Sequence, residues 1–191
     1  LFYPGGVEEL RYEVRNFLNG RKCKKNISEK KNNYTLDIRA LIVPHAGYIY
    51  SGEIAACAYR LLLQNRKKFK RVLILGPAHR VWVKGAAFPS SEFFETPLGK
   101  IKLEKKLIKK IVKKLPWISI NEEAHSQEHC IEVQLPFLQE TLEDFLLIPI
   151  VVGETKTEQI DELIYQFIQD EETLIIISTD LSHFHDYETA T

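Results

Sequence analysis

The chain has 191 residues, 45% of them hydrophobic and 27% charged, a balance that predicts one globular domain over 1–191 and excludes wholesale disorder. Its 26 Lys and Arg are cancelled by 26 Asp and Glu, so the broad positive field of a nucleic-acid binder is missing and no nucleic-acid partner is expected. The longest apolar stretches, such as residues 145–152, are too short to span a bilayer, and no membrane partner is expected either.

In chain order, residues 7–18 place Leu10, Val14, Phe17 and Leu18 on one helical stripe. A polar loop follows at 22–33, then an apolar strand at 39–43 and an Ala- and Leu-rich helix at 53–63. A second apolar strand covers 71–75, with weaker strands at 85–88 and 118–120. Between the weaker pair, 104–115 sets Leu107, Ile108, Ile111, Val112 and Leu115 at helical spacing. The six lysines of that helix read as a solvated face, because the chain is neutral and no aromatic residues interleave them. A helix over 131–142 carries Pro136, which predicts a late start or a kink. Strands at 145–152 and 174–178 flank a helix at 158–168, and Thr155-x-x-Glu158 before it has the form of a capping box. Continuous apolar runs suit strands covered on both faces, and their alternation with helices predicts a three-layer α/β domain with a mostly parallel sheet and right-handed crossovers.

Chemistry collects where the strands end. The first strong strand runs into Pro44-His45-Ala46-Gly47-Tyr48, the second into Gly76-Pro77-Ala78-His79, and the last into Thr179-Asp180-Leu181-Ser182-His183. In a parallel sheet these exits line one edge, the edge where ligands bind, so three histidines far apart in sequence are expected to converge. Imidazole serves both as a metal ligand and as a general base near neutral pH; spacing alone leaves both roles open. A fourth segment, residues 122–132, adds His125, His129 and several carboxylates, and puts His129 and Glu132 on one face if a helix starts near His129; His125 and His185 read as solvated. Cys57 reads as a small core residue, and Cys130 as a buried structural cysteine or, alternatively, a ligand or reactive thiol. Tyr48 and Tyr50 either line a pocket or cover the sheet edge with their hydroxyls in water. With three cysteines and no C-x-x-C pair, a reducing, cytoplasmic setting is expected. No G-x-S-x-G elbow, Walker loop or dinucleotide fingerprint is present, which removes support from serine-hydrolase, NTPase and Rossmann readings.

The motifs Pro44-His45-Ala46-Gly47-Tyr48-Ile49-Tyr50-Ser51-Gly52, Leu75-Gly76-Pro77-Ala78-His79, Glu128-His129-Cys130-Ile131-Glu132, Pro149-Ile150-Val151-Val152-Gly153 and Ser178-Thr179-Asp180-Leu181-Ser182-His183 together resemble the Memo family, which in bacteria and archaea corresponds to protein B of the AmmeMemoRadiSam system. The opening Phe2-Tyr3-Pro4 and the acidic helix after it also resemble the usual start. The family is similar in fold to class III extradiol non-haem iron dioxygenases. The resemblance therefore implies an α/β/α sandwich with a site at the carboxyl ends of the strands and iron or copper as cofactor. It places metal ligands on His45 and His79, an acid/base role on His183 with Asp180 beside it, and cleft or substrate-binding residues on Tyr48, Glu128, His129 and Glu132.

The family's third metal ligand is a cysteine in a downstream Cys-Gly-x-x-Pro-like segment that nothing here matches. With no methionine in the chain, this reads as a partial family member. Two histidines alone rarely hold a metal tightly, so weak or absent metal binding is expected of this form. The expected function is a metal-dependent, dioxygenase-like oxidoreductase. The alternative is a non-catalytic module binding a peptide or small ligand, as the link of eukaryotic Memo proteins to receptor-tyrosine-kinase signalling implies. A metal-assisted hydrolase is the weakest reading. A small-molecule or peptide ligand is the expected partner, and the sequence gives no oligomeric state.

Overall fold

Six strands, β1 (Ala40–Val43), β2 (Arg71–Pro77), β3 (Ala86–Phe88), β6 (Ile118–Ile120), β7 (Leu146–Val152) and β8 (Thr173–Ser178), form the central sheet of the computed structural model, which describes residues 2–20, 37–181 and 185–190. The order is β1-β8-β2-β7-β3-β6. All neighbours are parallel except β3 against β7. The four strong apolar runs became β1, β2, β7 and β8, and the two weaker ones became β3 and β6. A separate hairpin, β4 (Phe93–Thr96) with β5 (Gly99–Lys102), was not predicted; its mixed, half-exposed residues carry no clean alternation.

The helices are α1 (Val7–Asn19), α2 (Tyr48–Tyr59), α3 (Lys105–Lys114), α4 (Glu123–Ser126), α5 (Leu135–Thr141), α6 (Thr157–Tyr165) and α7 (Tyr187–Ala190). α5 starts late, as Pro136 required: a 3-10 turn covers Glu132–Gln134, and Pro136 sits in the first helical turn, where its missing N–H costs nothing. The cap of α6 lies one residue on from the predicted box, with the Lys156 N–H donating to Gln159 Oε1 at 2.9 Å. Cys57, on α2, is half-buried, less enclosed than the small core residue expected from the sequence.

Topology fixes the layers. The chain moves one way across the sheet from β1 through α2 to β2, and back the other way from β7 through α6 to β8. Right-handed crossovers then put α2 and α6 on opposite faces. α1 and α5 pack with α2, and Arg11 and Arg15 of α1 hold Glu140 of α5 at 3.3 and 2.6 Å. On the other face α3 and α6 lie side by side, where Lys114 Nζ donates to Gln166 Oε1 and Trp117 Nε1 to Glu162 Oε2. The result is an α/β/α sandwich. Between the layers Leu73, Ile74, Ile148, Ile150 and Ile176 are sealed from solvent, each contributing about 1.5–3 kcal/mol of burial.

β1 departs from the expectation of two covered faces. Leu41 and Val43 are buried, but Ile42 is 69% exposed, as suits a strand at the end of the sheet. Among the described residues no helix is long and apolar enough to cross a membrane.

Candidate metal centre

Because β1, β8 and β2 are adjacent and parallel, with Val43 in register with Ser178 and Leu75 with Ile177, their carboxyl ends open on one edge of the sheet. His45 follows β1 there and His79 follows β2. The loop after β1 is pinned by Asp180, whose Oδ1 accepts the N–H groups of His45 and Ala46 at 2.5 and 3.1 Å.

The third member of the cluster comes from a different element. His129 lies between α4 and the 3-10 turn before α5. Its loop is pressed onto β2 at Gly76, where a Cβ would stand 2.4 Å from Cys130 Sγ. Only glycine allows that approach. Cys130 is buried there, donates to Pro77 O at 3.2 Å, and has its thiol pushed up by burial and by the Glu128 charge. These are the marks of a structural cysteine, not of a thiolate ligand.

One ring nitrogen from each of His45, His79 and His129 lies within 4.8 Å of the others, so the three histidines can hold a metal ion. Ring centroids are 5.2 Å apart for His45–His79 and for His79–His129, and 5.8 Å for His45–His129. His45 is 2% exposed, whereas the His79 side chain keeps 35% exposure, so the centre is open on the His79 side. Phe2 stacks flat on His129, centroids 4.0 Å apart and planes at 7°, and closes the opposite side.

Glu128 organises this edge. Its carboxylate accepts the N–H groups of His79, His129 and Cys130 at 2.7, 2.9 and 3.1 Å, and the His79 Nδ1–H at 2.9 Å. Burial pushes its pKa up, but the hydrogen bonds from the His79 ring and from these backbone donors outweigh that and hold it at about 2. An ionised carboxylate cannot donate. The proton of the His79 ring therefore sits on Nδ1, leaving the Nε2 lone pair for the centre, the carboxylate–histidine pairing typical behind metal ligands.

Among the described residues, His45 Nε2 and His129 Nδ1 are buried without hydrogen-bond partners, with Asp180 Oδ2 at 3.7 Å and Glu128 Oε1 at 3.4 Å the nearest charges. Burial lowers the pKa of both; the opposing charges of Asp180 at His45 and of Glu128 at His129 do not offset it. Both rings are therefore neutral near pH 7, as metal ligation requires. With pKa values depressed below 6.5 in the folded state, the unfolded chain binds more protons below pH 6.5 or so. Their contribution is thus present above that value and lost as pH falls. The melting temperature of the metal-free chain is expected to decline on acidification from pH 7 to 5, as followed by circular dichroism; a flat profile would show that the rings are not held neutral.

The remaining sequence-designated residues fall as follows. Tyr48 is buried beneath the centre, donating to Val133 O at 2.8 Å and packing on Phe137. Glu132 accepts from Tyr3 Oη at 2.5 Å. His125, read as solvated, is instead buried away from the cluster with Nε2 against Ala87 O at 2.9 Å. His183 lies outside the described residues. Phe2, Gln134 and Ser178 touch the site or its support without having been singled out; all three stand within the quoted family motifs or beside them, but nothing in their chemistry alone marked them.

An α/β/α protein with a three-histidine centre at the carboxyl edge of its sheet is thus the class defined by fold and site. The sequence family described as Memo-like protein matches residues 1–190. A MEMO1 family protein of Saccharolobus islandicus is 36% identical over 200 residues, covering 98% of this chain and 68% of the relative. One of Aquifex aeolicus is 36% identical over 193 residues, covering 99% and 67%. The chain belongs to the Memo-like family.

Proposed function

We propose that the chain binds one redox-capable divalent metal, iron or copper, through His45, His79 and His129, next to an opening for a small-molecule ligand. The observation that carries this reading is the pair of buried ring nitrogens, His45 Nε2 and His129 Nδ1, that have no hydrogen-bond partner among the described residues, their nearest carboxylate oxygens being Asp180 Oδ2 at 3.7 Å and Glu128 Oε1 at 3.4 Å. A buried polar atom without a partner costs about 1–3 kcal/mol, which a bound cation would relieve. Three imidazole ligands suit iron, copper or zinc and not magnesium or calcium. Two of them are the histidines that the family resemblance assigns to the metal, and the third raises the donor count above the two that the sequence offered.

Such a metal supplies Lewis acidity and one-electron exchange. The chain's own residues do the rest. Glu128 and Asp180 hold the ligand loops, Phe2 shields His129, and the open His79 side admits a ligand. His183, by the family resemblance, would move a proton there, with Asp180 nearby. The second reading is a binding module, favoured by Ile49 and Tyr50, each 80% exposed in the first turn of α2 directly after the His45 loop, an apolar rim suited to a peptide.

Anaerobic reconstitution with Fe²⁺, desalting and metal analysis tests the reading. Close to one iron per chain is expected, with oxygen uptake on addition of catechol as the probe. Iron retained without oxygen uptake would favour the binding module, and no retained iron would contradict the metal reading.

A further inference from the structure

His45 has two ring nitrogens, of which Nε2, 3.7 Å from Asp180 Oδ2 and so beyond hydrogen-bond distance of it, has no hydrogen-bond partner among the described residues. The other, Nδ1, lies 3.1 Å from Ser178 Oγ. A histidine beside a hydroxyl is ordinarily ambiguous, since the hydroxyl both donates and accepts. Here the ambiguity is removed by what else touches Ser178.

Ser178 Oγ stands 2.5 Å from Cys130 O. A carbonyl only accepts, so the single hydroxyl hydrogen of Ser178 is committed to it. Gln134 Nε2 lies 2.8 Å from the same Oγ and 2.9 Å from Pro44 O. Pro44 O also only accepts, so the amide nitrogen of Gln134 must face it, and Gln134 donates to Ser178 as well. The other end of the amide is consistent: Gln134 Oε1 accepts from Tyr59 Oη at 2.9 Å, and Tyr59 is fully buried and stacked on Phe137 with planes at 1°. Ser178 Oγ thus has its hydrogen spent and one lone pair filled. The only role left toward His45 is to accept.

We propose that Ser178, oriented by Gln134 and Tyr59, is a positioning residue that locks His45 in its Nδ1–H form and so commits the Nε2 lone pair to the centre. The inference rests on the metal reading only for its purpose; the tautomer itself is a property of the metal-free chain. His79 reaches the same state through a carboxylate, His45 through a neutral hydroxyl. The difference is physical: His45 is 2% exposed, and a second buried carboxylate at Nδ1 would need its own cluster of donors, whereas Ser178 adds no charge.

The test is long-range ¹H–¹⁵N correlation on ¹⁵N-histidine-labelled, metal-free protein at neutral pH, where the two neutral tautomers give distinct patterns, combined with Zn²⁺ titration. The wild type is expected to show His45 as Nδ1–H. S178A removes the acceptor, so a mixture of tautomers and a 10–100-fold weaker Zn²⁺ affinity are expected, with S178T restoring both. An Nε2–H pattern in the wild type would overturn the proposal, as would a folded S178A that keeps the Nδ1–H form and wild-type affinity. If S178A does not fold, the wild-type spectrum still decides. An Nδ1–H wild type that takes up no Zn²⁺ would support the tautomer assignment and count against the metal reading, so the two failures are distinguishable.

Discussion

Glu128→Ala is expected to destabilise the chain by about 3–5 kcal/mol, the range for breaking a buried charged hydrogen-bond network. One carboxylate satisfies the N–H groups of His79, His129 and Cys130 together with the His79 ring, and alanine would strand all of them in a region largely closed to water. Glu128→Gln should fall between, because its amide keeps one acceptor oxygen but turns an NH₂ toward donors. Urea unfolding reads this directly as a lower midpoint at unchanged slope. A loss below about 1 kcal/mol for alanine would show that the loops carrying His79 and His129 hold their places without Glu128. Acid gives an independent check. With its pKa near 2, the Glu128 contribution is fully present above the ordinary carboxylate value of 4.5 and is lost as pH falls toward 2. In Glu128→Gln that limb of the stability profile should flatten.

The second large effect is on metal affinity. His45→Ala, His79→Ala and His129→Ala are each expected to weaken Zn²⁺ binding by at least about 100-fold, since each removes one of three ligands. His129 is the informative position. If it only formed the wall of a two-histidine site, its alanine variant would bind nearly as the wild type does while the other two failed. Equal losses at all three positions, with melting temperatures in metal-free buffer unchanged within a few degrees, would identify three ligands.

What the sequence made legible follows from the kind of signal each part leaves. Residues 71–75, 145–152 and 174–178 are continuous apolar runs because β2, β7 and β8 lie inside the sheet with helices on both sides; such runs cannot be disguised. That the loops after β1, β2 and β8 share one edge follows from parallel pairing, so the meeting of His45 and His79 was readable. His129 was expected on the cleft wall, but not in the metal cluster itself. It follows no strand, and it reaches the centre only because its loop rests on β2 at Gly76, a contact that no local pattern encodes. Glu128 read as a cleft wall for a similar reason: a carboxylate accepting from three backbone donors looks, in sequence, like any other glutamate. The start of α2 was placed too late because Gly47 and Gly52 resemble helix breaks. Gly52 sits inside the helix instead, where a Cβ would come 2.7 Å from the Phe17 ring of α1. The glycine there serves close helix packing. Tyr48 read as a pocket residue because it follows His45, but it is the first residue of α2 and turns inward, onto Val133 O and Phe137.

The three-histidine centre is tested most directly by a crystal of the chain grown with Zn²⁺ and measured on both sides of the zinc absorption edge. The expected result is one anomalous peak about 2.0–2.1 Å from a nitrogen of each of His45, His79 and His129, with His45 contributing Nε2. No peak at that edge of the sheet under saturating Zn²⁺, or a peak held by His45 and His79 with His129 turned away, would contradict it.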